Sequence, residues 1–288
     1  MTGFVPSFLH IETQELVSYL IKAAGQTQRT QINPQDLLDF LKLQYLSFDF
    51  KTELPREAKE SFIGDSPRAM ISFHDRLVAT DSALSPTRTR FSVLHEIGHY
   101  ILPNHQHTLY VCDSQGMSFR THVTFEQEAN RVAADLLFLG DRFELESNSR
   151  PVSAATVKIL ANQFHASFEA SAHRIAERHH RDCMLVCFSG GIQAVLNSHA
   201  KPEWKVHYCI PSHSFGNRYF QKVTGGGVPD DVFGRISAEG RDLEHSETNQ
   251  VLIPCRAGLD PVLFNAEYFY NRYNIFCFLT PAATRQTH

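Results

Sequence analysis

The sequence predicts an α+β protein built in three parts. In the first part, residues 1–150, apolar residues recur at helical spacing before and after a short run of alternating, strand-like segments. The second part, residues 151–182, holds two short helical patterns separated by a tight break, which is typical of a helix-turn-helix. In the third part, residues 183–288, apolar runs between turn signals indicate strands. We therefore expect three domains in this order.

The helices of the first part are predicted from their apolar stripes and caps. One stripe covers residues 16–23, and a second helix follows Asn33-Pro34, an N-cap and a proline suited to the first helical position. Three strand-like runs, from which we expect a small antiparallel sheet, lie at residues 46–50, 68–73 and 77–80. Two further helices are predicted at residues 87–103 and 125–139.

The second and third parts are predicted with the same signals. Residues 154–164 form one helical pattern, the break falls at His165-Ala166, and Ser167 caps the next helix. An ordinary helical hairpin between two domains would give the same pattern. In the third part we expect a hairpin around Gly190-Gly191 and later strands in the segments VLIPCRA and YNIFCFLTP.

Composition and charge narrow the class of protein. The formal net charge is −4, from 27 Lys and Arg against 31 Asp and Glu, which argues against a polyanion as the main partner. No segment approaches the roughly 18 apolar residues of a membrane helix, and the first residues do not have the pattern of a signal peptide. The six cysteines are widely spaced, as is typical of free thiols in a reducing compartment. We expect a cytoplasmic protein that does not contact the membrane.

The segment His95-Glu96-Ile97-Gly98-His99 is the strongest chemical signal. On a helix, histidines at positions i and i+4 lie on one face, so both imidazoles can bind one zinc ion. The glutamate beside the first histidine can take a proton from a metal-bound water. The apolar residues Phe91 and Leu94 would bury the opposite side of this helix. These residues predict a hydrolytic metal site.

A catalytic zinc needs a third protein ligand and one open position. His105 follows His99 by six residues, the spacing of the metzincin pattern, but that pattern has glycine where this chain has Leu102. Glu126, at the start of the next long helix, is the favoured candidate. Asn130, one helical turn later, could orient a ligand histidine. Glu128, two positions from Glu126, is expected to point to a different face.

The two segments RTRFSVLHEIGHYILPN and FEQEANRVAADLLF together resemble the ImmA/IrrE family of metallopeptidases. The appended helix-turn-helix and strand-rich part narrow the resemblance to members that regulate radiation and desiccation tolerance. The resemblance implies a zincin-like peptidase domain, a central helix-turn-helix domain and a C-terminal GAF-like sensor domain. It implies His95, His99 and Glu126 as ligands of one Zn²⁺ and Glu96 as the base. It also implies cleavage of a helix-turn-helix transcriptional repressor after DNA damage, which induces the response genes.

Two details of the chemistry stay open in the sequence. The oxyanion of the tetrahedral intermediate needs a donor, for which Tyr100, His122 and His107 are candidates without a motif behind them. Zinc is the default metal, although two imidazoles and a carboxylate would also accept Mn²⁺.

A second hypothesis is a DNA-binding regulator or scaffold with a vestigial metal site. Its recognition helix would carry Arg174 and Arg178, but Glu169 and Glu177 balance their charge. A helix meant for the major groove normally brings an excess of positive charge. DNA is therefore not the expected main partner. The complete set of metal and base residues favours the protease hypothesis, and the resemblance implies a repressor as its substrate. The signal received by the C-terminal domain has no sequence signature.

Overall fold

The structure, a computed structural model, describes residues 8–53, 68–105, 119–189, 204–220, 246–253, 260–270 and 274–282. Its internal contacts divide the chain into two compact units, Met1–Phe143 and Glu144–His288. The predicted mixture of helices and strands is confirmed. The finer division into three domains stays a prediction.

The first unit combines helices with a small sheet. The helices are α1 (Phe8–Ala23), α2 (Pro34–Leu41), α3 (Phe50–Glu53), α4 (Pro86–Ile101) and α5 (Phe119–Leu137). The strands are β1 (Gln44–Phe48), β2 (Ala69–Ser72) and β3 (Leu77–Asp81). Helix α2 begins as its sequence predicts, since the Asn33 side chain accepts a hydrogen bond from the backbone N–H of Gln35 and Pro34 is the first helical residue.

The small sheet has the strand order β1-β3-β2. Strands β2 and β3 are antiparallel, and a tight turn at residues 73–76 joins them. Strand β1 runs parallel to β3, with Gln44 opposite Leu77 and Phe48 opposite Asp81. The prediction of an antiparallel sheet is therefore wrong for this pair. A tight turn sets the relative direction of two strands, but a long connection separates β1 from β3, and alternating apolar residues carry no information about direction.

Helices α4 and α5 pack closely at Gly98. A Cβ atom at this position would lie 3.0 Å from the carbonyl oxygen of Ala129 and 3.3 Å from the Cβ of Val132. The surrounding residues Leu94 and Ile97 on α4 are fully buried, as are Ala129 and Val132 on α5. Because glycine has no side chain, the two backbones approach closely enough for polar residues on α5 to reach those on α4.

The second unit is built on a five-stranded antiparallel sheet in the order β5-β4-β8-β7-β6. Its strands are β4 (Met184–Ser189), β5 (Lys205–Pro211), β6 (Ser246–Ile253), β7 (Val262–Tyr270) and β8 (Ile275–Pro281). The predicted strand at YNIFCFLTP is confirmed in β8. The first three residues of VLIPCRA lie in β6, and its other residues lie outside the described part of the chain. The turn expected at Gly190-Gly191 lies outside the described residues. Strands β4 and β8 are buried on both faces, which makes them the centre of this unit.

The described part of the second unit also contains helices. They are α6 (Arg142–Asn148), which begins at the boundary between the units, α7 (Ala154–Phe164), α8 (Phe168–Arg178) and α9 (His213–Arg218). Ser167 caps α8 by accepting a hydrogen bond from the backbone N–H of Ala170. His165 adopts the left-handed conformation, with φ of 50°, and so ends α7 at the predicted break. Helix α8 packs on β4 and β5.

Among the described helices, none combines the length and the apolar character that a bilayer-spanning segment needs.

Candidate metal centre

His95 and His99 lie one turn apart on the same face of α4, with their Nε2 atoms 3.1 Å from each other. Glu126, in the first half of α5, approaches both of them. Its Oε2 atom is 3.2 Å from Nε2 of His95, and its Oε1 atom is 3.5 Å from Nε2 of His99. The structure thus brings together the three residues that the sequence suggested as ligands, and these form a group able to hold a metal ion.

The distances within this group fit a small divalent metal. Zinc bonds to histidine nitrogen and carboxylate oxygen are about 2.0–2.2 Å long, so neighbouring ligand atoms of a tetrahedral site lie about 3.3 Å apart. The three observed separations, 3.1, 3.2 and 3.5 Å, surround this value. Three protein ligands leave one position of a tetrahedron for water or substrate, as hydrolytic metal sites require.

Hydrogen bonds at the Nδ1 atoms of His95 and His99 orient the Nε2 atoms of both rings toward Glu126. Nδ1 of His95 lies 3.0 Å from Oδ1 of Asn130, and an amide oxygen can only accept a hydrogen bond. The proton of a neutral His95 is therefore on Nδ1, which leaves Nε2 free to bind a metal. Asn130 occupies the position from which the sequence suggested it would orient a ligand histidine.

His99 is oriented by a different pair of residues. Its Nδ1 atom is 2.8 Å from Nδ1 of His105, and Nε2 of His105 is 3.1 Å from Oε2 of Glu128. His105 is thus near the metal group but is not part of it. Its Nδ1 atom contacts Nδ1 of His99, whereas Glu126 lies beside the other ring nitrogen of His99, Nε2. Glu128 is not part of the group of His95, His99 and Glu126, and its Oε2 atom contacts His105 instead. Sequence reasoning considered both residues but did not find their pairing, since 23 positions separate them along the chain.

The ionisable groups of this cluster shift one another's pKa values, as is common at functional sites. Without a metal, Nε2–H groups of His95 and His99 donate hydrogen bonds to Glu126 and hold the pKa of its carboxyl group far below the ordinary value; a bound metal would take the place of these protons. Burial alone would lower the pKa of His95, but the Glu126 hydrogen bond and the nearby carboxylate charges outweigh it and raise the pKa. Burial lowers the pKa of His105, an effect that the hydrogen bond to Glu128 opposes only in part.

Glu96 lies next to His95 on α4 and is only 7% exposed. Burial raises the pKa of its carboxyl group, an effect that the neighbouring His95 and His99 oppose only in part. A carboxylate with a raised pKa is a stronger base than an exposed glutamate and is better matched to proton transfer near neutral pH. Such an environment suits a general base, the role that the resemblance implies for Glu96.

Of the three oxyanion candidates, only Tyr100 has a side chain among the described residues. The ring of Tyr100 stacks on Phe73 at a centroid distance of 6.1 Å, and the guanidinium of Arg76 lies 5.8 Å from its centre. The side chain of His122 and the whole of His107 lie outside the described residues. A role in stabilising the oxyanion stays a prediction for all three.

Comparison with known proteins places the site in a family. Residues 50–176 match the sequence model of the IrrE N-terminal-like domain, a peptidase family. These residues belong to that family. The resemblance predicted from the two motifs is confirmed, and the IrrE-like domain contains the whole His95, His99 and Glu126 group. A match to a peptidase family agrees with a site that can hold a metal ion.

Comparison with solved structures finds a similar fold with low sequence identity. A Mycobacterium tuberculosis transcriptional regulator of known structure is similar, with a TM-score of 0.59 and 12% sequence identity. The similarity covers 93% of this chain and 75% of that one. No curated protein matches the sequence at a significant level. At this identity, the structural likeness is a likeness of fold.

Proposed function

We propose that this protein is a metalloendopeptidase that cleaves a helix-turn-helix transcriptional repressor and so induces genes of the DNA-damage response, including radiation and desiccation tolerance. The observation that carries the proposal is the convergence of His95, His99 and Glu126 beside the buried Glu96. The repressor as substrate rests on the resemblance to the ImmA/IrrE family. The family of residues 50–176 supports the peptidase activity.

Each residue of the metal centre has a separate role in the proposed hydrolysis. His95, His99 and Glu126 would hold one Zn²⁺, with Mn²⁺ as an alternative, and the bound metal would polarise the peptide carbonyl and acidify water. Glu96 takes a proton from the attacking water, whose oxygen forms a bond to the carbonyl carbon. When the C–N bond breaks, Glu96 returns the proton to the leaving nitrogen. Asn130 keeps His95 in the tautomer that can bind the metal.

The remaining parts of the chain are proposed to regulate this activity. The helices α7 and α8 would form a helix-turn-helix domain that docks or positions a protein, and the strand-rich part would form a GAF-like sensor domain for a signal not yet identified. The structural likeness to a transcriptional regulator agrees with a role in gene control. The cytoplasm is the proposed location, because a repressor substrate is found there.

The burial of α8 argues against its use as a DNA recognition helix. Within Phe168–Arg178 only Glu177 is exposed, while Arg174 is 7% exposed. A recognition helix must offer an open face to the major groove. Helix α8 has no such face in the folded second unit, because it packs on β4 and β5. The DNA-binding hypothesis would require this helix to leave the sheet.

The test is incubation of the purified full-length chain with its candidate repressor, followed by intact mass measurement. Wild type is compared with Glu96→Gln, which keeps the shape of the side chain but removes the base. Zn²⁺, Mn²⁺ or a chelator is added in separate reactions. Glu15→Gln, the same change at an exposed position of α1, is the control.

We expect one cut that requires metal and is lost in Glu96→Gln, while Glu15→Gln cleaves as wild type does. Metal binding by Glu96→Gln should be retained, because Glu96 is not one of the three grouped ligands. An intact repressor under every condition, with both proteins folded, would refute the proposal. Cleavage by Glu96→Gln at the normal rate would refute the role given to this residue.

A further inference from the structure

A continuous chain of hydrogen bonds leads from His99 away from the metal group. Nδ1 of His99 is 2.8 Å from Nδ1 of His105, and Nε2 of His105 is 3.1 Å from Oε2 of Glu128. Both distances are within the range of hydrogen bonds. His105 follows the end of α4 and Glu128 lies on α5, so the chain of bonds joins the two parts of the structure that carry the ligands.

The positions of the protons follow from the chemistry at the far end of this chain. An ionised carboxylate only accepts, so Nε2 of His105 carries the hydrogen that Glu128 receives. Nδ1 of a neutral His105 is then an acceptor, and Nδ1 of His99 must donate to it. A neutral His99 therefore has its lone pair on Nε2, the atom that faces Glu126 and His95. Only this arrangement leaves His99 able to bind a metal.

The surroundings make this arrangement rigid. The side chain of His105 is completely buried, while that of Glu128 is 28% exposed. The ring of His105 also contacts Phe125, with 4.5 Å between the ring centroids. A buried imidazole packed in this way can exchange neither of its two hydrogen bonds for water at low cost.

We propose that His105 and Glu128 are positioning residues that hold His99 in the orientation and tautomer needed for metal binding. This inference rests on the metal site of the proposed function and adds two residues to it. The two ligand histidines are thus supported differently: His95 by the neutral amide of Asn130, and His99 by an imidazole backed by a carboxylate. The carboxylate makes His99 a more strongly basic ligand than an amide would.

The experiment measures metal affinity in variants of the full-length protein. His105→Leu removes both ring nitrogens, and His105→Asn restores an acceptor near the Nδ1 position. Glu128→Gln removes only the charge at a partly exposed site, so this variant is expected to fold. The control is His74→Leu, the same substitution at a histidine outside the network. The side chain of His74 is 87% exposed. The Zn²⁺ dissociation constants are measured by competition with a chromophoric chelator, and folding is checked by circular dichroism.

Two spectroscopic readouts separate positioning from direct ligation. The absorption bands of bound Co²⁺ report the number of ligands. Long-range ¹H–¹⁵N correlation spectra of the metal-free protein report which nitrogen of His99 carries the proton. A merely structural role for His105 would not change the His99 tautomer in a variant that is still folded.

We expect His105→Leu to weaken Zn²⁺ binding by about 10–100-fold, the usual effect of losing such a partner. Glu128→Gln and His105→Asn should lose less, and His74→Leu should match wild type. The Co²⁺ spectrum of His105→Leu should keep the wild-type pattern, while Nδ1 of the metal-free His99 should no longer be fully protonated.

Three results would overturn the inference or its basis. Unchanged affinity and an unchanged tautomer in folded His105→Leu and Glu128→Gln, with normal binding by wild type, would refute the positioning role alone. A changed ligand number in the Co²⁺ spectrum of His105→Leu would make His105 a ligand rather than a positioning residue. Absence of metal binding by folded wild-type protein would refute the proposed function itself, and the inference with it.

Discussion

Replacing Gly98 by alanine tests how closely the metal group depends on the approach of α4 and α5. The new Cβ would lie 3.0 Å from the backbone oxygen of Ala129, where ordinary van der Waals contacts begin at 3.4 Å. The obstacle is backbone, which cannot rotate away as a flexible side chain could. Helix α5 must therefore retreat by about 0.4 Å at this point, the difference between these two distances.

The size of the effect follows from two opposing contributions to stability. Alanine in a helix is more favourable than glycine by about 1 kcal/mol. Overpacking a close contact costs about 1–3 kcal/mol. The folded protein should therefore lose between about 0 and 2 kcal/mol of unfolding free energy.

Metal binding should suffer more than stability. Glu126 precedes Ala129 by one turn of α5, and His99 follows Gly98 directly on α4. A retreat of about 0.4 Å exceeds the roughly 0.2 Å tolerance of metal–ligand distances. We expect Zn²⁺ affinity to fall by about tenfold or more, as when a residue supporting a metal ligand is lost.

The assay is a urea unfolding curve together with a chelator competition for Zn²⁺. Arg88→Ala, at an exposed position of the same helix, controls for the general effect of alanine and should leave metal affinity unchanged. A Gly98→Ala variant that is about 1 kcal/mol more stable and binds metal as wild type does would show that the close approach is not needed. That result would refute the reasoning.

Three further predictions concern single side chains. Asn130→Ala should weaken Zn²⁺ binding by about tenfold, because His95 loses the acceptor that orients it, and an unchanged chelator competition would contradict this. Burial lowers the pKa of His173 below its ordinary 6.5, so the unfolded chain takes up this proton more readily and stability falls as the pH decreases below 6.5. In His173→Gln, urea midpoints should depend less on pH between 6.5 and lower values; an equally steep dependence would show that other groups cause it. Ser167→Ala should cost about 1 kcal/mol of unfolding free energy through the lost cap of α8, and a thermal melt identical to wild type would contradict this.

Much of the local structure could be predicted from periodicity and caps. The apolar stripe of residues 87–103 predicted α4 to within two residues at its end, and Asn33-Pro34 and Ser167 marked helix starts that the structure confirms. These features depend on neighbouring residues alone, so the sequence carries the information directly. The direction of β1 was predicted incorrectly, because it depends on a pairing across a long connection.

The candidate site combines contacts that the sequence predicts with contacts that only the folded chain forms. The facing imidazoles of His95 and His99 follow from the 3.6-residue period of a helix, so the sequence by itself determined that pair. The sequence favoured Glu126 as the third ligand, but only the tertiary structure brings it to the histidine pair. The contact of His99 with His105, and of His105 with Glu128, was found only in the structure. Those contacts depend on how closely α4 and α5 pack at Gly98. Helical periodicity sets which residues share a face, but the distance between two helices is set by the side chains that pack between them.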